Sequence, residues 1–449
     1  MIRVLGLVVA LVLLLATPAA AHNVMAGADL RIAQTIAGTE LTVVVKGTTR
    51  VPGPLRIGVI AYQPVTALRV GLEVRSVEDG RTVKGVATAA ARDPQYARLT
   101  VERTGPHELT LRAGNEVAVV PFRVLVDRGS PGDLLIYGGF FVAGLLLVGG
   151  LLTGAVARRG PAMLLAGGAA AGLTVATMVI VVEPQLPPAT PDGAAPVAET
   201  TPAGGRPYVQ GRMESLPARP DAGAEFTLRI DLVDGSTGRP VDDLTVHHEA
   251  LTHLVVTSED GRYFRHVHPL RTAPGRLEVR LRADRPGRYL AHAELEREGS
   301  GGQLIPGSFT VGGTPKADPA DPAGKPTDPA GKPADPADQP AETVTDGRPV
   351  VVPRLRPEVP VAGRPVTIEL DAPGDVRPWL GMTGHLLVRS QDGSFLGHVH
   401  EMGAPGGRLR FTFGFPAPGR YLAWTQYATA DRIVTTPFTV DVTAPAVRR

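Results

Sequence analysis

Histidines recur at one spacing in two stretches of the sequence. The first stretch runs from His253 to His268 (HLVVTSEDGRYFRHVH), and the second, 132 positions later, runs from His385 to His400 (HLLVRSQDGSFLGHVH). Each contains a histidine, twelve other residues, a second histidine, one residue and a third histidine. Imidazole nitrogens bind zinc, copper and nickel. The repeated pattern therefore predicts a metal site in each stretch.

Each stretch has the features of a β-hairpin. Asp-Gly lies near the middle, at 260–261 and 392–393, and glycine tolerates the positive φ of a tight turn. A two-residue turn places His253 opposite His268, on the face shared with His266, because side chains alternate along a strand. A one-residue bulge would change this register. The predicted ligand sets are His253, His266 and His268 in the first hairpin and His385, His398 and His400 in the second.

Three further histidines accompany the first hairpin. His247 and His248 immediately precede it, and either could provide a fourth metal ligand. His292 lies beyond it, and Trp424 occupies the equivalent position of the second copy. His292 is therefore either specific to the first site or an ordinary strand residue. A single histidine on an exposed sheet face needs no metal, so the prediction rests on the repeated triads.

Two methionines adjoin the second hairpin and influence the choice of metal. Met402 follows His400 by two positions, and Met382 shortly precedes His385. Thioether sulfur is a ligand of reduced copper, although methionine also serves as core filler. The combination favours copper over zinc as the bound ion.

Composition excludes several classes of protein. The chain has 449 residues, enough for about three β domains. Its 46 basic and 44 acidic residues give a net charge of +2, which provides no argument for a nucleic-acid partner. Absence of cysteine excludes disulfides and thiolate ligands. The sequence has no G-x-S-x-G elbow, nucleotide-binding loop or H-E-x-x-H motif, so we predict a protein that is not an enzyme.

The N-terminal part contains the signals for export and membrane insertion. Residues 1–21 have the charge, apolar core and small-residue end of a signal peptide, which would remain as an anchor if uncleaved. Residues 134–157 and 162–182 are uncharged and long enough to cross a bilayer. Arg158 and Arg159 lie between them and predict a cytoplasmic connection. We therefore expect a multi-pass cell-membrane protein whose N- and C-terminal domains are extracytoplasmic.

The remaining sequence predicts three β domains. Residues 22–130 contain about seven short, alternating, Val-rich segments, typical of an immunoglobulin-like β-sandwich. A Pro/Ala/Thr-rich stalk at 183–205 precedes a His-rich β-sandwich at 206–312. A Pro-rich linker at 313–348 leads to a His/Met-containing repeat at 349–443. The predicted fold class is three all-β immunoglobulin-like sandwiches with a two-helix transmembrane hairpin.

Internal repetition links the last two domains. PGRYLAH at 286–292 matches PGRYLAW at 418–424, and SFTV at 308–311 matches PFTV at 437–440. With the His-x-His hairpins, these segments resemble bacterial extracytoplasmic YtkA-like sandwich domains. That resemblance implies binding or cell-envelope roles that are often linked to metals.

A second resemblance concerns the predicted mature N-terminus. Cleavage after Ala21 would leave His22 first, so its amine and imidazole could bind Cu(II) together. This arrangement resembles periplasmic copper carriers of the CopC-like class, although the downstream Asp-x-His pattern of that class is absent. His107 lies where the two repeats have tyrosine, which favours a structural role.

These features lead to one functional prediction and one alternative. The first is a membrane-anchored extracytoplasmic protein that captures, buffers or hands over copper, or less favourably zinc, through its histidines. The alternative is a non-enzymatic envelope module that binds a partner protein and uses the same histidines structurally. A metal or pH sensor is a third reading, but the chain has no cytoplasmic domain to report the signal.

Overall fold

A computed structural model describes most of the chain, and its architecture is predominantly β-sheet. The described residues are 23–24, 26–63, 68–90, 94–127, 129, 131–185, 190–194, 208–314, 353–372, 375–401, 407–429 and 432–446. They form six sheets, paired face to face as three sandwiches, and two long apolar helices. The predicted fold class is confirmed. The predicted signal peptide and nearly all of the predicted linker lie outside the described residues.

The first sandwich has nine strands rather than about seven. They are β1 (Asn23–Val24), β2 (Asp29–Ile36), β3 (Thr39–Lys46), β4 (Gly53–Ala61), β5 (Arg69–Ser76), β6 (Thr82–Thr88), β7 (Ala97–Val101), β8 (Gly105–Ala113) and β9 (Glu116–Val124). One sheet has the order β1-β9-β8-β5-β6 and the other β2-β3-β4-β7. His107 is buried in β8, where its Nδ1 lies 3.0 Å from the Gly105 carbonyl oxygen.

Two apolar helices follow and pack as a hairpin. They are α1 (Pro131–Leu152) and α2 (Arg159–Val182). Glycines allow the close approach, because a Cβ on Gly172 would lie 2.7 Å from the Gly139 carbonyl oxygen. Both helices are long and apolar enough to cross a membrane.

The second sandwich contains the first histidine hairpin. Its strands are β10 (Val209–Leu216), β11 (Glu225–Asp234), β12 (Thr252–Ser258), β13 (Phe264–Val267), β14 (Leu270–Ala273), β15 (Arg276–Arg282), β16 (Gly287–Arg297) and β17 (Gly301–Val311). The sheets have the orders β10-β11-β15-β14 and β13-β12-β16-β17. Alternation sets the core: in β11, Phe226, Leu228, Ile230 and Leu232 point inward between polar neighbours.

The third sandwich repeats this plan. Its strands are β18 (Arg354–Arg356), β19 (Pro365–Asp371), β20 (Gly384–Ser390), β21 (Leu396–Glu401), β22 (Arg408–Gly414), β23 (Gly419–Ala428) and β24 (Ile433–Val442). The sheets have the orders β18-β19-β22 and β21-β20-β23-β24. The sheet that contains its histidine hairpin corresponds strand by strand to β13-β12-β16-β17 of the second sandwich.

The two histidine-bearing sheets pack against each other. Val255, Phe264, Leu387, Leu396, Leu422 and Trp424 form one buried apolar cluster drawn from both sandwiches. Phe264 stacks on Trp424 with ring centroids 4.6 Å apart. The packing is reciprocal, since Gly261 lies against Leu422 while its counterpart Gly393 lies against Leu290, the counterpart of Leu422. The repeats are therefore related by an approximate two-fold axis through this interface.

The first sandwich contacts the same junction. The Thr35 N–H donates to the His268 carbonyl at 2.9 Å, and the His268 N–H donates to Thr35 Oγ1 at 2.8 Å. Arg31 forms an ion pair with Glu249. All three sandwiches therefore meet around the first histidine hairpin.

We predict that Gly261→Ala loosens the interface between the second and third sandwiches. Its backbone has φ 77°, and an added Cβ would overlap the buried Leu422 side chain. Gly299→Ala is the matched control, because φ is 72° there but the space beyond is open. Denaturant unfolding should show a further loss of about 1–3 kcal/mol in Gly261→Ala relative to the control. Equal losses in the two variants would contradict the packing described here.

Candidate metal centre

The hairpin register predicted from the sequence is confirmed. His385 pairs directly with His400, and the pairing of Leu254 with Val267 places His253 opposite His268. The turns differ from the two-residue form. The Ser258 N–H donates to the Tyr263 carbonyl at 3.0 Å, so residues 259–262 form a four-residue loop. The longer loop preserves the register because it takes one residue from the end of each strand.

The second-sandwich triad (His253, His266 and His268) converges on a single point. His253 Nδ1 lies 3.2 Å from His266 Nε2 and 3.2 Å from His268 Nε2. Nitrogens that share a tetrahedral metal at 2.0–2.1 Å lie about 3.3 Å apart. All three rings are buried. The triad thus has the spacing of a three-histidine metal site.

The third-sandwich triad (His385, His398 and His400) has the same arrangement. His385 Nδ1 lies 3.2 Å from His398 Nε2, and one nitrogen from each of the three rings lies within 4.8 Å of the others. His400 Nε2 is buried without a hydrogen-bond partner among the described residues. Either triad could hold a metal ion.

The outer nitrogens of the rings contact hydrogen-bond acceptors. His253 Nε2 donates to the His247 carbonyl at 3.1 Å, and His268 Nδ1 donates to the Glu40 carboxylate at 2.5 Å. These acceptors hold the proton of each neutral ring on its outer nitrogen. When both rings are neutral, the facing His253 Nδ1 and His268 Nε2 therefore both present lone pairs at 3.2 Å.

The third-sandwich triad follows the same rule. His385 Nε2 donates to the Trp379 carbonyl at 3.2 Å, and His398 Nδ1 donates to the Glu294 carboxylate at 2.7 Å. When both rings are neutral, His385 Nδ1 and His398 Nε2 therefore also face each other as two lone pairs. Two lone pairs at hydrogen-bonding distance repel unless a cation lies between them. A metal ion supplies that cation, and an added proton supplies it only by charging a buried ring.

The outer partners are exchanged between domains. Glu294 of the second sandwich contacts His398 of the third. Its counterpart Gln426 of the third contacts His266 of the second, with Oε1 3.0 Å from Nδ1. Glu40 reaches His268 from the first sandwich. Carboxylates in this position orient ligating imidazoles and raise their basicity.

Burial lowers the pKa of five of the clustered imidazoles. Burial, followed by neighbouring imidazoles, holds the pKa values of His253, His266 and His385 well below the usual 6.5. The same causes lower the pKa of His248 to about 4 and that of His400 to about 2. Burial opposes ionisation of Glu294, but the His398 hydrogen bond and nearby imidazoles outweigh it and lower its pKa. Neutral imidazole and ionised carboxylate are the forms that a metal site requires.

The other predicted ligands occupy different places. The His248 ring lies 3.9 Å, centroid to centroid, from both His247 and His400. His248 thus adjoins the triad of the third sandwich rather than that of its own hairpin. Met382 lies in the turn that contains Trp379 and exchanges backbone hydrogen bonds with it. His22 and Met402 lie outside the described residues, so their predicted roles stay predictions.

His292 lies apart from the triads. It is on the same sheet face as His266, but two strands away, which corresponds to about 10 Å. Its Nε2 donates to the Gly393 carbonyl at 3.1 Å across the interface. The sequence left His292 either as specific to the first site or as an ordinary strand residue. The geometry makes it a strand residue that contacts the third sandwich across the interface.

Comparison with known proteins places the two repeats together. The family model described as "Domain of unknown function (DUF8832)" matches residues 209–312 and 354–444, which correspond to the second and third sandwiches. No curated protein matches the chain. The resemblance to YtkA-like and CopC-like domains stays a prediction.

Solved structures with similar β domains resemble the chain only distantly. The FN1-FN3 domains of chicken CNTN1 have 7% identity and a TM-score of 0.16, covering 88% of this chain and 97% of that one. A Salmonella alpha-2-macroglobulin mutant has 10% identity and a TM-score of 0.18, over 86% of this chain and 22% of its own. A red sea bream transglutaminase has 13% identity and a TM-score of 0.16, over 52% and 31%. These likenesses carry no functional argument.

We predict that the metal-free protein loses stability as the pH falls below about 6.5. Unfolded histidines take up protons there, whereas His253, His266 and His385 stay neutral in the fold because their pKa values are lowered. Each group contributes a slope of about 1.4 kcal/mol per pH unit below the unfolded pKa. Unfolding of chelator-treated protein between pH 8 and pH 5 measures this slope. A flat profile would contradict neutral burial of these rings.

Proposed function

We propose that this protein is a membrane-anchored, extracytoplasmic metal-binding protein. It holds metal ions in two three-histidine sites between its second and third sandwiches, and it captures, buffers or hands over the metal. The observation that carries the proposal is the facing pair of nitrogen lone pairs in each triad. Their geometry suits a cation and is unfavourable without one.

The same observation weighs against the alternative of a purely structural histidine cluster. In a structural cluster, each close nitrogen pair would consist of one N–H donor and one lone-pair acceptor. Here the backbone carbonyls of His247 and Trp379 and the carboxylates of Glu40 and Glu294 occupy the donor sides of the rings. A structural cluster would therefore require an imidazolium ion in each buried triad.

Copper remains our first choice of metal, with zinc second. Three neutral imidazoles suit both ions. The preference for copper comes from Met382, Met402 and His22, because thioether sulfur and an amine-imidazole pair are copper ligands. The triads define where a metal would bind, but their imidazoles do not distinguish copper from zinc.

The interdomain contacts support placing all three sandwiches on one side of the membrane. The first sandwich precedes the helical hairpin and the second follows it, yet they share hydrogen bonds at Thr35 and His268. A hairpin that enters and leaves on one side satisfies this requirement. Arg158 and Arg159 at its tip favour a cytoplasmic connection, which makes the sandwich side extracytoplasmic.

We predict two equivalents of bound metal and the loss of one equivalent per disrupted triad. Calorimetry on the full chain in detergent would titrate Cu(I), Cu(II) and Zn(II) separately. His266→Ala with His268→Ala should remove one equivalent, and His398→Ala with His400→Ala should remove the other. The wild-type protein would be titrated in parallel with a competing chelator. Absence of saturable binding, with both double variants still folded, would refute the proposal.

We also predict that the two outer carboxylates act on separate sites. Glu294→Gln should weaken the third-sandwich site, although Glu294 belongs to the second sandwich, and Glu40→Gln should weaken the second-sandwich site. Loss of such a partner typically costs 10–100-fold in metal affinity. Glu225→Gln, at a side chain that is 57% exposed, is the control. Each variant is tested in a chain whose other triad carries the double alanine substitution, so that only one metal affinity is measured at a time.

A further inference from the structure

The two triads share a fold position but differ in what surrounds them. Positions 247–248 of the second sandwich correspond to 379–380 of the third through the 132-residue offset. The first pair is His247 and His248, and the second is Trp379 and Leu380. Each pair belongs to a tight turn: His247 and Ala250 bond each other, as do Trp379 and Met382.

Each turn lies between the two triads, because its first residue accepts a hydrogen bond from its own hairpin and one of its rings contacts the triad of the other sandwich. Trp379 lies with its ring 5.5 Å from that of His266 and 6.2 Å from that of His268. Trp379 and Leu380 are fully buried. The second-sandwich triad thus has Trp379, the equivalent of His247, as its neighbour from the other repeat, whereas the third-sandwich triad has His248.

The first sandwich also closes one triad. Glu40 and Thr35 bind the side chain and backbone of His268, whose side chain is 1% exposed. The corresponding ring of the other triad, His400, is half-buried and lies against His248, with ring centroids 3.9 Å apart. The second-sandwich triad is therefore covered by the first sandwich. The third-sandwich triad is bordered instead by the additional imidazole of His248.

The backbone at His248 is strained. His248 and Glu249 both have positive φ, at 46° and 59°. The equivalent turn has Leu380 (φ 54°) and Gly381 (φ 74°) there, so the conformation belongs to the turn in both repeats, and only Glu249 stands where the other turn has the more tolerant glycine. In the second sandwich this turn places the His248 ring against His400.

We infer that the two sites have different roles: the second-sandwich triad holds a structural ion, and the third-sandwich triad, with His248 as fourth ligand, is the exchange site. This inference rests on the proposed metal-binding function. The difference lies in access: His268 is 1% exposed and covered by the first sandwich, so an ion there has no exposed ligand through which to leave, whereas His400 is half-buried. His248 comes from a turn of a different domain, so it can leave the metal without disturbing the hairpin that holds the other three ligands.

Metal release from the full chain tests this inference. Protein loaded with two equivalents of Zn(II), in detergent, would be mixed with a chromogenic chelator. We expect two phases whose rates differ at least tenfold. His400→Ala should remove the fast phase, and His268→Ala should remove the slow one. Release of both ions at one rate would overturn the inference while leaving the proposed function intact, whereas failure to load any Zn(II), Cu(I) or Cu(II) would overturn both.

The fourth ligand is tested by a pair of asparagine variants at positive-φ positions. His248→Asn removes the imidazole and keeps a residue that tolerates positive φ, and Gly299→Asn places the same residue at a positive-φ position (φ 72°) with open space around it. His248→Asn should speed the fast phase about tenfold and leave the slow phase unchanged, while Gly299→Asn should alter neither rate. Co(II) loaded into the His268→Ala background should also change its visible spectrum with His248→Asn. An effect of His248→Asn on the slow phase, or an unchanged fast phase and spectrum, would overturn the assignment of His248.

Discussion

The structure depends on packing six imidazoles, four of them buried, with ring nitrogens facing one another at the junction of separate domains. Neutral rings in such a position need acceptors on their outer nitrogens and a cation, or a charged ring, on their inner ones. The outer requirement is met by backbone carbonyls within each hairpin and by Glu40, Glu294 and Gln426 from neighbouring domains. The domains therefore dock in the one arrangement that satisfies these nitrogens. Apolar packing of Phe264 on Trp424 stabilises the same arrangement.

Duplication explains why the interface is reciprocal, and substitution explains why it is not symmetric. Equivalent residues exchange contacts: Glu294 and Gln426 each reach a histidine of the other repeat. Where the third-sandwich triad has the carboxylate of Glu294, the second-sandwich triad has the amide of Gln426 and takes its carboxylate, Glu40, from the first sandwich. Arg389 shows the same divergence, because it is buried in the third sandwich and donates to Thr257, the residue at its own equivalent position in the second. Burial lowers the pKa of Arg389 to about 10.

The hairpins were predictable from sequence because their determinants are local. Asp-Gly fixed the turn region, strand alternation fixed the faces, and together they grouped His253 with His266 and His268. The outer partners were not predictable, because Glu40 lies 228 positions from His268 and Gln426 lies 160 positions from His266. One signal was present in the repeat itself: Glu294 and Gln426 lie two residues after His292 and Trp424, on the same strand face as the triads. His248 was expected beside its own hairpin, and only the docking of two sandwiches sends it to the other.

Because ligands and outer partners come from different domains, metal binding and domain docking are linked equilibria. A metal that binds the docked arrangement more tightly stabilises it, and docking raises metal affinity by the same factor. At a free metal concentration of 100 times the dissociation constant, the docked form gains about 2.7 kcal/mol per site. In the proposed function, occupancy of the histidine sites is thereby coupled to the arrangement of the three sandwiches, so the metal load would be visible to any partner that contacts more than one of them.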